Sequence, residues 1–233
     1  MALKNESVQA MTKSGLGRKS RGFKLSGLKR YVAMLCLLIG VSANAMANSA
    51  AEMFEQFVQT FSAATGVFEQ SVLDDKGQAS QMQSGEFSFQ RPGKFRWSVL
   101  KPHEQLIISD GRVIQQYDPD LRQTTIRQVD AAMGSSPAAL LFGEKPLQDA
   151  FQLSSLPDEG GMIWLRATPF KADAGLNRVD IGMKEGIPAQ LLIQDGFGQT
   201  TRIELSRIRA QSEFPAETFV FKSPVGTDVI EMP

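Results

Sequence analysis

Cysteine and histidine are nearly missing from this chain, which holds one of each in 233 residues, Cys36 and His103. With so little sulfur and imidazole, neither a Cys/His metal cluster nor a nucleophile paired with a histidine base has the residues it needs. A single cysteine also excludes an internal disulfide. His103 follows Lys101-Pro102 in a turn-like stretch and reads as a solvated loop residue. Phosphate-cradling loops are missing as well. Gly15-Leu16-Gly17-Arg18-Lys19-Ser20 lacks the glycine-to-lysine spacing of a phosphate loop, and Asp195-Gly196-Phe197-Gly198 lacks a third glycine and a following helix. Carboxylates are plentiful, and a glycan hydrolase needs only two at the right separation. No acidic pair stands out, however, and Asp118 and Asp120 around Pro119 read as a turn.

No apolar run is long enough for a comfortable membrane crossing, which takes roughly 20 residues. The longest, Tyr31 to Val41, gives way to Ser42 and Asn44. It follows a segment in which eight bases (Lys4, Lys13, Arg18, Lys19, Arg21, Lys24, Lys29, Arg30) face one acid, Glu6. A basic stretch feeding a short apolar one, then Ala45-Met46-Ala47, predicts an export signal over 1–47, cleaved after Ala47. A retained anchor is the alternative reading, and a start at Met11 would account for the length of the basic stretch. Cys36 lies inside the apolar run behind Leu35, where a lipid-attachment box needs a small residue, so the processed chain is expected to carry no lipid.

Residues 48–233 then form a single domain, long enough to bury a core without covalent staples. The whole chain has 25 bases and 25 acids; without the leader's eight bases and one acid, 17 bases face 24 acids, a net of −7. That balance argues against binding a nucleic-acid backbone or an anionic membrane surface.

From Asn48 to Ala64, Met53, Phe54, Phe57, Val58 and Phe61 recur at helical spacing and predict one helix with a greasy stripe. After Gly66 the period changes to two. Phe87 and Phe89 share a face over 86–90, as do Phe95, Trp97 and Val99 over 94–99, and Val179, Ile181 and Met183 alternate at the end of 176–183. These predict half-buried antiparallel strands. Asp75-Lys76-Gly77, Asp110-Gly111, Glu185-Gly186 and Asp195-Gly196 supply the positive φ angles of tight hairpins. The stretch from Asp130 to Ala150 breaks this rhythm, with a Ser135-Ser136-Pro137 start signal before Ala138 to Phe142, and predicts short helices over one sheet face.

The densest unusual run is Arg91-Pro92-Gly93-Lys94-Phe95-Arg96-Trp97, followed by Pro102, Ser109-Asp110-Gly111 and Tyr117-Asp118-Pro119-Asp120. Preceded by Gly85-Glu86-Phe87 and followed by Ser136-Pro137-Ala138-Ala139-Leu140-Leu141, it closely resembles the LolA family of periplasmic lipoprotein carriers from about Phe54 through Leu141. The resemblance is weaker around Phe219 and Pro224. It implies a mainly β (α+β) fold: an incomplete antiparallel β-barrel with an N-terminal helix and short lid helices over its apolar concave face.

It also implies no enzyme activity and no cofactor. The cargo would be acylated lipoprotein, received from an inner-membrane ABC transporter and passed to a LolB-like outer-membrane acceptor by a monomer that binds no nucleic acid. The family's gating arginine maps onto Arg91, making it the lid latch, and a phenylalanine needed to accept cargo maps onto Phe95. Phe87, Phe89, Trp97, Met133, Leu140 and Leu141 are the expected acyl-contacting or lid residues, with Phe142 in the same lid segment and Phe54 and Phe57 of the first helix as candidates to join it. The residues alone leave cavity wall and plain core equally open for these aromatics; Lys94 and Arg96 on the opposite face favour an aromatic inside and a wet outside. Rival functions are a related half-barrel lipid or glycolipid carrier, acceptor or sensor, and a periplasmic glycan hydrolase.

Overall fold

A computed structural model describes residues 49–129, 137–143, 146–171 and 175–232. The expected leader over 1–47, Met133 and the Ser135-Ser136 start signal lie outside the described residues.

The stripe from Met53 to Val58 forms helix α1, Ser49–Thr60, and Phe61 follows its last residue. Strands follow as β1 (Ala63–Leu73), β2 (Ala79–Gln90), β3 (Lys94–Lys101), β4 (Gln105–Asp110), β5 (Val113–Asp118) and β6 (Gln123–Gln128). Helix α2 (Pro137–Phe142) and a 3-10 turn, Leu147–Asp149, come next. Then come β7 (Phe151–Glu159), β8 (Met162–Pro169), β9 (Arg178–Lys184), β10 (Ile187–Gln194) and β11 (Thr200–Ala210). A second 3-10 turn, Ala216–Phe219, and β12 (Asp228–Glu231) end the chain. The helix therefore stops sooner than its apolar period suggests, because Ala63 and Ala64 already sit in β1, paired to Gln90 and Phe89.

The strands form one sheet in the order β12-β6-β5-β4-β3-β2-β1-β11-β10-β9-β8-β7. Neighbours are antiparallel except β12, which runs parallel to β6. The terminal strands β12 and β7 do not pair with each other, so the barrel is open. Yet Ile114 of β5 and Phe151 of β7 join one apolar cluster. Laid flat, nine strand steps of about 4.8 Å would separate those strands by roughly 43 Å. The sheet is therefore rolled, with the cluster inside. Helix α1 lies on β7 to β10 and α2 on β3.

Two hairpin turns share one chemistry. Asp74 Oδ1 accepts the amides of Lys76 and Gln78, and Asp195 Oδ1 those of Phe197 and Gln199. Each turn places its left-handed residue three positions after the aspartate, at Gly77 (φ 75°) and Gly198 (φ 87°). The expected Gly196 is thus not the positive-φ residue: the side-chain cap fixes which position must turn left-handed. Glu185-Gly186 and Asp110-Gly111 behave as expected, with Gly186 and Gly111 at 80° and 94°. Outside the roll, the segment after β11 straps back over β3 and β4 through its 3-10 turn. Phe219 is buried there, Ser223 Oγ donates to Thr124 Oγ1 at 2.9 Å, and Phe221 packs on Tyr117.

Candidate functional site

Alternation along β2 and β3 sends Phe87, Phe89, Phe95 and Trp97 inward, each 3% exposed or less. Cross-strand register sets Phe87 opposite Trp97 and Phe89 opposite Phe95, so the four rings tile one patch. Phe68 of β1 stacks on Trp97 with centroids 3.8 Å apart. Nothing had marked Phe68 out, because its inward neighbours along β1 are Ala64 and Gly66. Those small residues are the missed signal: a side chain at Gly66 would collide with the Phe87 ring.

The two helices meet over this patch. Phe142 at the end of α2 stacks on Phe87 and Phe89, with centroids at 5.3 and 4.2 Å. Phe57 of α1 reaches the Phe89 ring at 6.4 Å and Phe54 at 6.2 Å. Leu140 and Leu141 are buried beside them. The interior of the roll is thus filled by the chain's own rings.

Arg91 stands where β2 ends. Its Nε donates to the carbonyl of Phe61, one residue past α1, and its Nη2 to that of Leu141 in the last turn of α2, at 3.3 and 3.0 Å. Helix C-termini leave their final carbonyls without internal partners and carry the negative end of the dipole. One planar fork therefore serves both helices. The guanidinium also lies 5.2 Å from the Phe89 centroid and 5.9 Å from that of Phe57, within cation–π range. Burial lowers its pKa to about 10, so it stays cationic at neutral pH while opposing its own desolvation. Pro92 and Arg91, with Leu140, Leu141, Phe54 and Leu147, line a cavity of about 300 Å³ between the helices.

The structure thus brings together Arg91, Phe87, Phe89, Leu140 and Leu141, with Phe95 and Trp97 deeper in the same cluster; Met133 lies outside the described residues. His103 is exposed on the β3–β4 turn, its Nδ1 3.2 Å from Asp120 Oδ2, and takes no part in the apolar cluster.

The profile of the family described as "Outer membrane lipoprotein carrier protein LolA" matches residues 58–222. An outer-membrane lipoprotein carrier protein of Bordetella avium is 49% identical over 209 residues, spanning 88% of this chain and 100% of the relative. One from Bordetella pertussis is 50% identical over 201 residues, spanning 86% and 95%. Among solved structures, an uncharacterized conserved protein from Thermus thermophilus shares the fold, with a TM-score of 0.50 at 11% identity over 79% of this chain and 99% of that one. With a family profile matched across most of the domain and relatives aligned nearly end to end, the chain belongs to the LolA family of outer membrane lipoprotein carrier proteins.

Proposed function

We propose that this chain is a periplasmic carrier that takes acylated lipoproteins from an inner-membrane transporter, shields their acyl chains inside the rolled sheet and yields them to an outer-membrane acceptor. The observation that carries the reading is the Arg91 fork on the last carbonyls of both helices, above an interior packed with rings.

Each buried methylene contributes about 0.8 kcal/mol, so lipidated cargo cannot cross water unaided. A methylene fills about the room of one water, ~30 Å³, so a chain of roughly sixteen carbons needs on the order of 500 Å³. The cavity of about 300 Å³ between the helices is smaller than that. Cargo must therefore displace side chains, and Phe142 with Leu140 and Leu141 are the side chains on the shorter, more weakly built helix. They occupy the surface that acyl chains would cover, so helix and cargo compete, and re-docking of the helix offsets part of the cargo's binding energy. That competition permits release without a nucleotide. Cleavage after Ala47 would leave the carrier free to diffuse.

Arg91 is the latch in this scheme. Charge-assisted hydrogen bonds contribute about 1.5–3 kcal/mol each, and the buried guanidinium gives some of that back, so the latch biases closure without locking it. Arg91→Leu removes the bias. The variant should load with cargo normally and transfer it to the acceptor at least tenfold more slowly, measured as lipoprotein passed between purified components. Transfer at the parental rate would remove Arg91 from the mechanism.

A further inference from the structure

The outer face of the same strands carries a second feature. There β1, β2, β3 and β11 floor a groove of about 510 Å³ whose lining includes Arg96, Arg207 and Arg209, with Glu86 as its one acid and Phe214 as an aromatic wall. Three cations against one anion leave the groove net positive on a domain that is otherwise acidic. Among the described residues none of the three guanidiniums has an ion pair or hydrogen bond.

Two of these arginines face outward because of a bulge. Thr65 pairs with Arg209 but Val67 with Ser206, so Gly66 opposes two residues of β11. Below the bulge Ile203 and Leu205 point inward; an unbroken strand would aim Arg207 and Arg209 inward as well. The extra residue reverses the alternation. Ile208 packs on the core, and Arg207, in the left-handed region at φ 54°, joins Arg209 outside. Register then completes a row across four strands: Arg209, Thr65, Ser88, Arg96. The wall is fixed too, since the amide of Phe214 donates to Gln90 Oε1 at 3.2 Å and its ring packs edge-on against Phe219.

We propose that this groove docks an extended acidic segment of a partner protein. Arg96 and Arg209 leave the backbone three strand steps apart, about 14 Å. Cations spread that widely match a row of carboxylates better than a single phosphate. In an extended chain, residues i and i+4 lie on one side about 13 Å apart, so the fitting segment has acids at that spacing, with an apolar residue for Phe214. The leader of this chain, with eight bases and one acid, has the wrong charge to be the occupant. The surface lies across the sheet from the interior rings and does not depend on what those rings hold, so a failed cargo-transfer assay leaves it standing.

The test is amide chemical-shift mapping on the ¹⁵N-labelled protein. The probe is a capped peptide, Thr-Glu-Thr-Val-Thr-Glu-Thr, which sets its valine on the same side as both acids, and its control has Gln at both Glu positions. Supporting results are shifts at Thr65, Ser88, Arg96 and Arg209 with the acidic peptide, at least tenfold weaker binding of the control, and a similar loss in the double variant Arg96→Gln, Arg209→Gln. The proposal is overturned if the acidic peptide leaves these amides unmoved or the control binds equally well. It is equally overturned if vesicles of phosphatidylglycerol and phosphatidylcholine, one to three, shift the groove amides where the peptide does not, since the partner would then be a membrane.

Discussion

The two helices over the interior are built to different standards. Helix α1 has 12 residues, an acid, Glu52, in its first turn, and an apolar face laid across four strands, β7 to β10. Helix α2 has six residues, Pro-Ala-Ala-Leu-Leu-Phe, with no charge at either end. A helix that short has no standing of its own in water. Its stability comes from docking: the Phe142 ring on Phe87 and Phe89, and the Leu141 carbonyl on Arg91. In the carrier cycle proposed above, this difference makes α2 the part that leaves. Helix α1 belongs to the core of its half of the sheet, whereas α2 is held by contacts that an acyl chain could replace.

Matched truncations give the largest expected effect. Phe57 and Phe142 are both 2% exposed, and each truncation would cost about 3–5 kcal/mol in a rigid core. Phe57→Ala should lower the unfolding free energy by that amount in urea titrations. Phe142→Ala should cost less, under about 2 kcal/mol, because the loss cannot exceed the free energy of docking α2 if that helix opens locally. Hydrogen exchange at Gly143, whose amide donates to Ala139, should accelerate in Phe142→Ala and stay slow in Phe57→Ala. Equal costs for the two truncations would show that α2 is no separate unit.

The half beneath α1 has a polar brace of its own. Asp180 of β9 is 7% exposed and takes both arms of Arg166 at 2.6 and 2.7 Å, with Arg178 at 3.8 Å. This pair raises the pKa of Arg166, chiefly through the hydrogen bonds themselves. Removing one partner of a fully buried pair costs about 3–5 kcal/mol. The Arg166 side chain is 31% exposed and can turn to water, so Asp180→Ala should cost less, about 1–3 kcal/mol. The loss should register in global unfolding while exchange at Gly143 keeps its rate relative to the rest. A selective opening of α2 would mean that the halves are coupled more tightly than their packing suggests.

What was legible in the sequence follows from how each element declares itself. The inward faces of β2 and β3 announce themselves because Phe87, Phe89, Phe95 and Trp97 alternate with polar residues, and α1 because its stripe recurs at helical period. Phe68 was hidden by its small inward neighbours Ala64 and Gly66, and the smallness of Gly66 matters only once the Phe87 ring is known to lie against it. Sheet order was equally hidden: β11 enters between β1 and β10, pairing Ala64 with Ala210 across most of the domain. No local pattern encodes that pairing. The β11 bulge shows the same limit, since a strict alternation would have turned two arginines into the core. Arg91 was found by resemblance; its partners, two carbonyls thirty and fifty residues away, are visible only in three dimensions.

The smallest effect separates the halves by pH. Burial alone would raise the pKa of Asp110, at the β4–β5 turn, but amide donors from Val113 and Arg112 and the Arg112 charge outweigh it, and the carboxyl lies below its ordinary value. Asp118, at the next turn, is also lowered, first by the amide of Leu121 and also by the side chain of Gln105. A carboxylate with a depressed folded pKa contributes stability above its unfolded value, about 3.9, and loses that contribution as pH falls through the folded value. Both turns lie on the side of the sheet that carries α2. Acidification from pH 7 to pH 3 should therefore speed exchange in β4 to β6 before β7 to β10, normalised for intrinsic rates. Asp110→Asn should flatten the acid limb of the melting-temperature profile while barely moving its value at pH 7, because the amide donors keep an oxygen to bind. A parallel downward shift at every pH would instead show that Asp110 acts by shape and not by charge.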